Sequence, residues 1–536
     1  MKAELPSLLA AGMLAAAMLI ANVSLAAESN MPMPSPESVY DRAVGDAEPE
    51  GEGTGEGFCW PAAYYMGSFV RGYEACGDPA WLDWGVKFYD WCVDKMLTDP
   101  DGYRGWIGPA RNRMWYDVHV GDSILIERML EFSELVLKDP ELKEKYGGAA
   151  NRYVEIGRRD LVEKWDKRGT WREDGEYGAY VAHDKACAAG DLTKWVPVTR
   201  GVDEPPGRTL PFNKQNEMAM AALRLYRITG EEFYLDKARK ILAFMRSRFQ
   251  YVADKDYYVW NYWEPFGPWD VDLERKTVRH WIGVHPYRNY QAGEIRQIAE
   301  AYHTGIVFTA LDIQRIINTN LKVMWNGDKD SPQWVNSNAL LPEPPLTDEQ
   351  RAARKAREEA NPYAREGRAG TLWTALSDFS QAVRDLESLG MAGGSQGWEG
   401  QMSAAYFRNV TLKTPPSFER RYARGAEVKQ VPSTNCPSLT VATVMPHILS
   451  ADPSVVLCKS RIANDLEVAV YSADGKDKVC VLYDGKIGDG MGGTADIVIF
   501  RWDGADPATK VRLPSGDYVV RWTVPDGFRE YAVTLL

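Results

Sequence analysis

One helical-hairpin motif, returning in a single internal register, constrains this chain more than any other feature. Arg71, Tyr73, Gly77, Asp78, Trp81, Leu82 and Asp83 are matched at a constant offset by Arg224, Tyr226, Gly230, Glu231, Tyr234, Leu235 and Asp236. In each copy an apolar helix runs into a Gly suited to the left-handed C′ position, an acidic residue opens the next helix, and an amphipathic helix follows. A lone unit of this kind leaves its apolar face bare, so stacked copies must share one core.

Weaker echoes extend the series. Asp117 to Lys138 reads as a helix, Asp139-Pro140 as a stop and restart, and Glu141 to Trp165 as a second helix. The run "IAEAYHTGIVFTALDIQRIINTNL" repeats the pattern with Tyr302 and Gly305 at its turn, and "TLWTALSDFSQAVRDLESLG" adds a helix that stops at Gly390. Four hairpins and one unpaired helix predict an incomplete ring. An open solenoid that only presents a surface is the competing arrangement. The irregular spacing and the long aromatic-rich insertions argue against it.

From about residue 436 the pattern changes to alternation. "DLEVAVYS", "KVCVLYD", "ADIVIFRW", "DYVVRWTV" and "EYAVTLL" are short β-branched and aromatic runs separated by turn residues, which predicts an antiparallel sandwich of roughly 100 residues. The expected fold is therefore mainly α, an incomplete (α/α)n toroid of helical hairpins followed by an antiparallel β-sandwich domain. The expected boundaries are a signal peptide over 1–26, a mobile leader over 27–57, the toroid over 58–435 and the β domain over 436–536. Within the helical part, 166–212 lacks long periodicity, and 342–370 is proline-led and then densely charged, as a solvated segment would be.

The signal peptide rests on Lys2, the apolar run Leu8 to Ala21, and the small residues Ser24 and Ala26 at cleavage spacing. The run is too short to span a bilayer, so a secreted or periplasmic protein with no membrane span is expected. The formal net charge of -12 makes nucleic acid a poor partner. The seven cysteines form no metal-like CxxC spacing, and an odd number leaves at least one thiol unpaired within the chain. Cys458 and Cys480 fall in neighbouring predicted strands and could pair.

In a toroid, the loops entering the inner helices gather at one rim. Four such loops are aromatic-rich: 57–65, 104–119, 210–218 and 256–294, carrying Trp60, Trp106, Trp115, Trp260, Trp263, Trp269 and Trp281. Flat aromatic faces stack on sugar rings, which predicts a saccharide cleft; loop packing accounts for a share of the same tryptophans. His280, His285, Tyr287, Arg288, Asn289 and Tyr290 lie just before or at one inner-helix entrance, His119 heads a second, and Asn213 and Asn216 head a third. Trp60, Arg113, Trp115, Asn213, Trp263 and His280 are the candidate substrate-binding residues. This set suits β-elimination from a uronic acid: Asn and Arg donors neutralise the carboxylate, a Tyr or His takes the C5 proton, and a second protonates the leaving oxygen. No metal or other cofactor is required.

On the repeated hairpins, the aromatic rim and the "HPYRNY" segment, residues 58–410 resemble the (α/α) toroid polysaccharide lyases. They are also similar to the helical barrels of glucuronyl epimerases and unsaturated-uronide hydrolases. The resemblance implies a lyase acting on an acidic, uronate-containing polysaccharide. It implies Tyr290 or Tyr287 as base and acid, His285 or His119 as their partner, and Asn216 with Arg288 on the carboxylate. Two other readings stand beside it. A glycoside hydrolase on the same scaffold would need a carboxylate pair, for which Asp117, Glu217, Glu264 and Asp270 are the rim candidates. A non-catalytic glycan-binding protein would use the tryptophans alone.

Overall fold

A computed structural model gives the architecture. It describes residues 33–536 apart from 110–113, 199–205, 253–254, 275–276, 279–287, 336–347, 350–351, 353–355, 357–369, 390–397, 423–438, 441–447, 450–453, 461–463, 488–496 and positions 50, 52, 189, 261, 273 and 526. The expected signal peptide lies outside the described residues.

The repeat folds as hairpins. Helix α1 covers Pro36–Ala47, α2 Gly55–Cys76 and α3 Ala80–Asp94; α4 covers His119–Lys138, α5 Pro140–Ile156, α6 Phe212–Thr229 and α7 Glu232–Ser247. Both register-matched turns close alike. Gly77 and Gly230 take φ of 72° and 75°, and each donates its N–H over 2.7 Å to the carbonyl of Tyr73 or Tyr226. Left-handed backbone at C′ is why Gly stands there in both copies. In the first hairpin the helices approach so closely that a Cβ on Gly72 would meet the Trp81 ring at 2.2 Å. Asp139 caps α5 through the N–H groups of Glu141 and Leu142.

Further along, α8 covers Arg288–Thr304, α9 Ala310–Asn318, α10 Gln381–Ser388 and α11 Trp398–Asn409. Helices α2, α4, α6 and α8 pack in succession as the inner wall, and α11 packs back onto α2, where Asn409 Nδ2 donates to the Ala75 carbonyl over 2.8 Å. The arc between α8 and α11 includes the 3-10 turn Thr374–Asp378, packed on α8, and short α10. This is the sense in which the ring of hairpins is incomplete. One continuous apolar core, including Trp81, Trp165, Trp260 and Trp373, unites inner and outer helices.

Segment 414–422 runs beneath the C-terminal ends of the inner helices. Tyr422 donates its N–H to the His303 carbonyl over 3.2 Å, and Tyr302 donates its hydroxyl to the Phe418 carbonyl. Arg227 and Lys138, both in last helical turns, lie over the Tyr422 ring at 4.4 Å and 5.1 Å. The far end of the ring thus has a floor.

The β domain has two sheets. Five strands run in the order Ile448–Leu449, Gly527–Leu535, Gly516–Val524, Asn464–Ser472 and Lys478–Ile487, antiparallel except for the first pair. Three more form a second sheet, from which Trp502 enters the core of the five-stranded one.

Three expectations are corrected. The stretch expected as a mobile leader contains α1, whose Val39, Ala43 and Ala47 are buried in the toroid core while Tyr40 packs on Trp84; a three-to-four-residue apolar spacing was hidden in a polar segment. Residues 166–212 form strands, among them Lys185–Ala188 and Asp191–Pro197, which extend a four-stranded sheet carrying Trp115–Tyr116. Cys480 is a free thiol, so the expected pairing with Cys458 is not made; the two strands lie in different sheets and are not neighbours. Among the described residues no helix is long and apolar enough to cross a membrane.

Candidate active site

Contacts between inner helices that are not neighbours mark the ring interior. At the rim, Glu56 in the first turn of α2 reaches past α4 to α6, where its Oε1 accepts from Lys214 Nζ at 2.9 Å. The same oxygen accepts from Trp60 Nε1 at 2.9 Å, one helical turn on. Trp60 meets Tyr290 of α8 across the ring at 6.4 Å between centroids, and Tyr290 stacks on Tyr262 at 5.6 Å. One turn below Lys214, Glu217 Oε1 accepts from Gln297 Nε2 of α8 at 2.7 Å, and its Oε2 lies 3.5 Å from Arg296 Nη2. Asn213 shares this stripe of α6 with Glu217 and Arg224, four and then seven residues on. It is 5% exposed, and both its amide atoms lack a hydrogen-bond partner. A buried amide left in that state is unusual.

The two glutamates are driven apart electrostatically. Burial alone would raise Glu56, but the charge of Lys214 with the hydrogen bonds from Trp60 and Lys214 outweighs it and holds the carboxyl below its ordinary value. Glu217 moves the other way: burial raises it, Arg296 only partly offsets this, and the carboxylate of Glu127 adds to the rise. Two carboxyl groups shifted in opposite directions are what acid–base chemistry draws on.

Below the rim the interior is charged. Arg224 is held by three carboxylates of α4, with Nε 2.9 Å from Glu127, Nη2 2.9 Å from Glu131 and Nη1 2.9 Å from Glu134. Arg128 lies 2.8 Å from Glu131, and Arg296 bridges from α8 to Glu127 at 3.3 Å. Glutamates spaced by four and three residues put all three carboxylates on one face of α4.

The other sequence-predicted residues fall in several places. Trp60, Tyr290, Asn213 and Glu217 come together at the rim. His119 is 3% exposed and stacks on Trp165 at 3.7 Å, with Nε2 3.0 Å from Thr170 Oγ1; burial first, then His183, holds it well below its ordinary value. Asn216 turns to the outer helix, where Nδ2 meets Met245 Sδ. Trp115 packs with Ile107 and Cys187 under the small sheet, and Trp263 donates to the Thr209 carbonyl. Arg113, His280, His285 and Tyr287, and the side chain of Arg288, lie outside the described residues.

Of the expected carboxylates, Asp270 staples its loop by accepting from Thr209 N and Oγ1, Phe266 N and Gly267 N. Asp117 is clamped by Lys164 at 2.8 Å and Arg168 at 2.7 Å. A π-turn at Gly157–Glu163 leads into this buried lysine. Glu264 is 1% exposed. Of these, Glu217 reaches across to α8 in the ring interior, while Asp117 and Asp270 serve their own loops. Sequence reasoning missed Glu56, Lys214, Arg296 and Gln297; the four-residue spacing from Glu56 to Trp60 was the available signal. Among the described residues no group of His, Cys, Asp or Glu is arranged to hold a metal ion.

No protein-family model and no curated protein matches the chain. Among solved structures it is similar to an inactive variant of the α-1,6-mannanase GH76A of Salegentibacter sp. HEL1_6 in complex with α-1,6-mannotriose, at 14% identity and a TM-score of 0.33 over 70% of this chain and 98% of that one. A second inactive variant, in complex with α-1,6-mannotetrose, gives 13% and 0.33 over the same shares. The GH76A structure without these ligands gives 14% and 0.31 over 71% and 98%. The lyase expectation is corrected here: the proteins found are mannanases. Of the described members of the Tyr, His and Arg set expected to carry elimination, Tyr290 lies at the rim and His119 is packed on Trp165 away from it.

Proposed function

We propose that this protein is a glycoside hydrolase that uses the rim of its toroid as the catalytic cleft. The carrying observation is the Glu56–Lys214–Glu217 constellation, in which carboxyl groups on two inner helices are shifted in opposite directions, Glu56 down and Glu217 up, beside an aromatic wall. Glu217 serves as general acid and gives its proton to the departing glycosidic oxygen. Ionised Glu56 stands as the second carboxylate, for the developing positive charge of the sugar or for an attacking water. Trp60 and Tyr290 offer apolar faces to sugar rings. The substrate is a polysaccharide met outside the cytoplasm, in keeping with the N-terminal export pattern.

The test is release of reducing ends from a panel of neutral and acidic polysaccharides that includes α-1,6-mannan. Glu217→Gln keeps shape but cannot give up a proton, and Glu56→Gln removes the charge; each should lower kcat by roughly 100-fold or more on the best substrate. Wild-type rates in both variants, or an ultraviolet-absorbing unsaturated product, would overturn the reading.

A further inference from the structure

The repeat register sets Arg71 and Arg224 at equivalent positions on inner helices α2 and α6, and their surroundings differ. Arg224 is saturated by three carboxylates. Arg71 has no ion pair or hydrogen bond among the described residues. Its side chain is solvent-accessible, yet burial first, then repulsion from Arg128 and Arg296, lowers its pKa. Arg71 stands one turn beyond Gly67 on the same face of α2, and Gly67 lies against the Arg128 side chain of α4, which shares Glu127 with Arg296 of α8, so that face of α2 is the one turned to the ring interior. The nearby carboxylates do not neutralise Arg71. Glu131 is already bound by Arg128 and Arg224, and Glu74 is pushed up to about 7, by burial first and then by Glu131.

We propose that Arg71, flanked by Arg128 and Arg296, forms an anion subsite inside the ring that receives a carboxylate or sulfate substituent of the glycan. Arginine remains charged at any physiological pH and presents a planar fork that matches oxyanions. The twin position shows what such a guanidinium takes when it is supplied, and among the described residues no carboxylate stands at ion-pair distance from Arg71. The ligand class, a glycan, rests on the hydrolase reading above; the anion chemistry does not.

The experiment titrates the full-length protein, wild type, Arg71→Gln and Arg71→Lys, with glucuronate, glucose and inorganic sulfate by calorimetry. At least one anion should bind more tightly than glucose. Arg71→Gln should weaken anion binding by about 10- to 100-fold, as loss of a charge-assisted hydrogen bond does, and leave glucose unchanged; Arg71→Lys should restore part of it. The tighter of the two anions names the substituent. Glucose binding as tightly as both anions, or undiminished anion binding in Arg71→Gln, would overturn the subsite. Since Arg71 has no partner to orphan, its variants should melt with the wild type; if Arg71→Gln does not fold, the loss in Arg71→Lys decides. Titration needs no turnover. Anion binding through Arg71 in a protein that cleaves no polysaccharide would sink the hydrolase reading alone, and cleavage without Arg71-dependent binding would sink the subsite alone.

Discussion

At the scale of single residues, the charge states of Glu56 and Glu217 set a pH profile whose limbs can be assigned. Glu56 is depressed, so it stays ionised until pH falls below the ordinary carboxylate range, and activity is lost as pH drops through that value. Glu217 is raised, so its proton persists above that range, and activity is lost as pH rises through its value. A plot of kcat/KM against pH should be bell-shaped, and the residual rate of Glu217→Gln should lack the alkaline limb. Neither state was legible in the sequence. Glu56 sat in a Gly-rich stretch expected to be a leader, and Glu217 was one of four equivalent carboxylates. What separates Glu217 from Asp117 and Asp270 is which neighbours reach each group: Lys164, Thr209 and the Phe266–Gly267 amides come from distant or irregular chain. His119 shows the converse, because heading an inner helix does not say which side of that helix a residue faces.

At the scale of elements, the repeat was legible because a left-handed Gly and a 3.6-residue apolar spacing are local demands of backbone geometry. The paired use of Arg71 and Arg224 was visible as identity, and their different fates were not, since these depend on three glutamates of α4. That difference has a measurable stability consequence. Arg224→Met would leave Glu127, Glu131 and Glu134 buried without their shared counter-ion, at a cost of roughly 3–5 kcal/mol. Arg71→Met should change stability little. Urea unfolding of the two variants checks this contrast, and equal losses would mean that the register-matched arginines play the same structural part.

At the scale of the molecule, we propose that toroid and β domain are separable units joined through 423–447. Limited proteolysis of the full chain should cut near residue 435 or within the proline-led, densely charged stretch 342–370 before it cuts α6 or α7, whose backbone is hydrogen-bonded and packed. Early cleavage between 212 and 247, read by mass spectrometry of the fragments, would contradict this. The floor laid by 414–422 has a different kind of consequence, one of traffic. On the proposed hydrolase reading, Tyr422 held beneath the inner helices stands in the way of a polymer threading the ring from end to end. We then expect the polymer to be sampled by a terminus or an accessible bend, with each released piece leaving by the opening through which the next enters, so that departing sugar and arriving chain compete for one doorway.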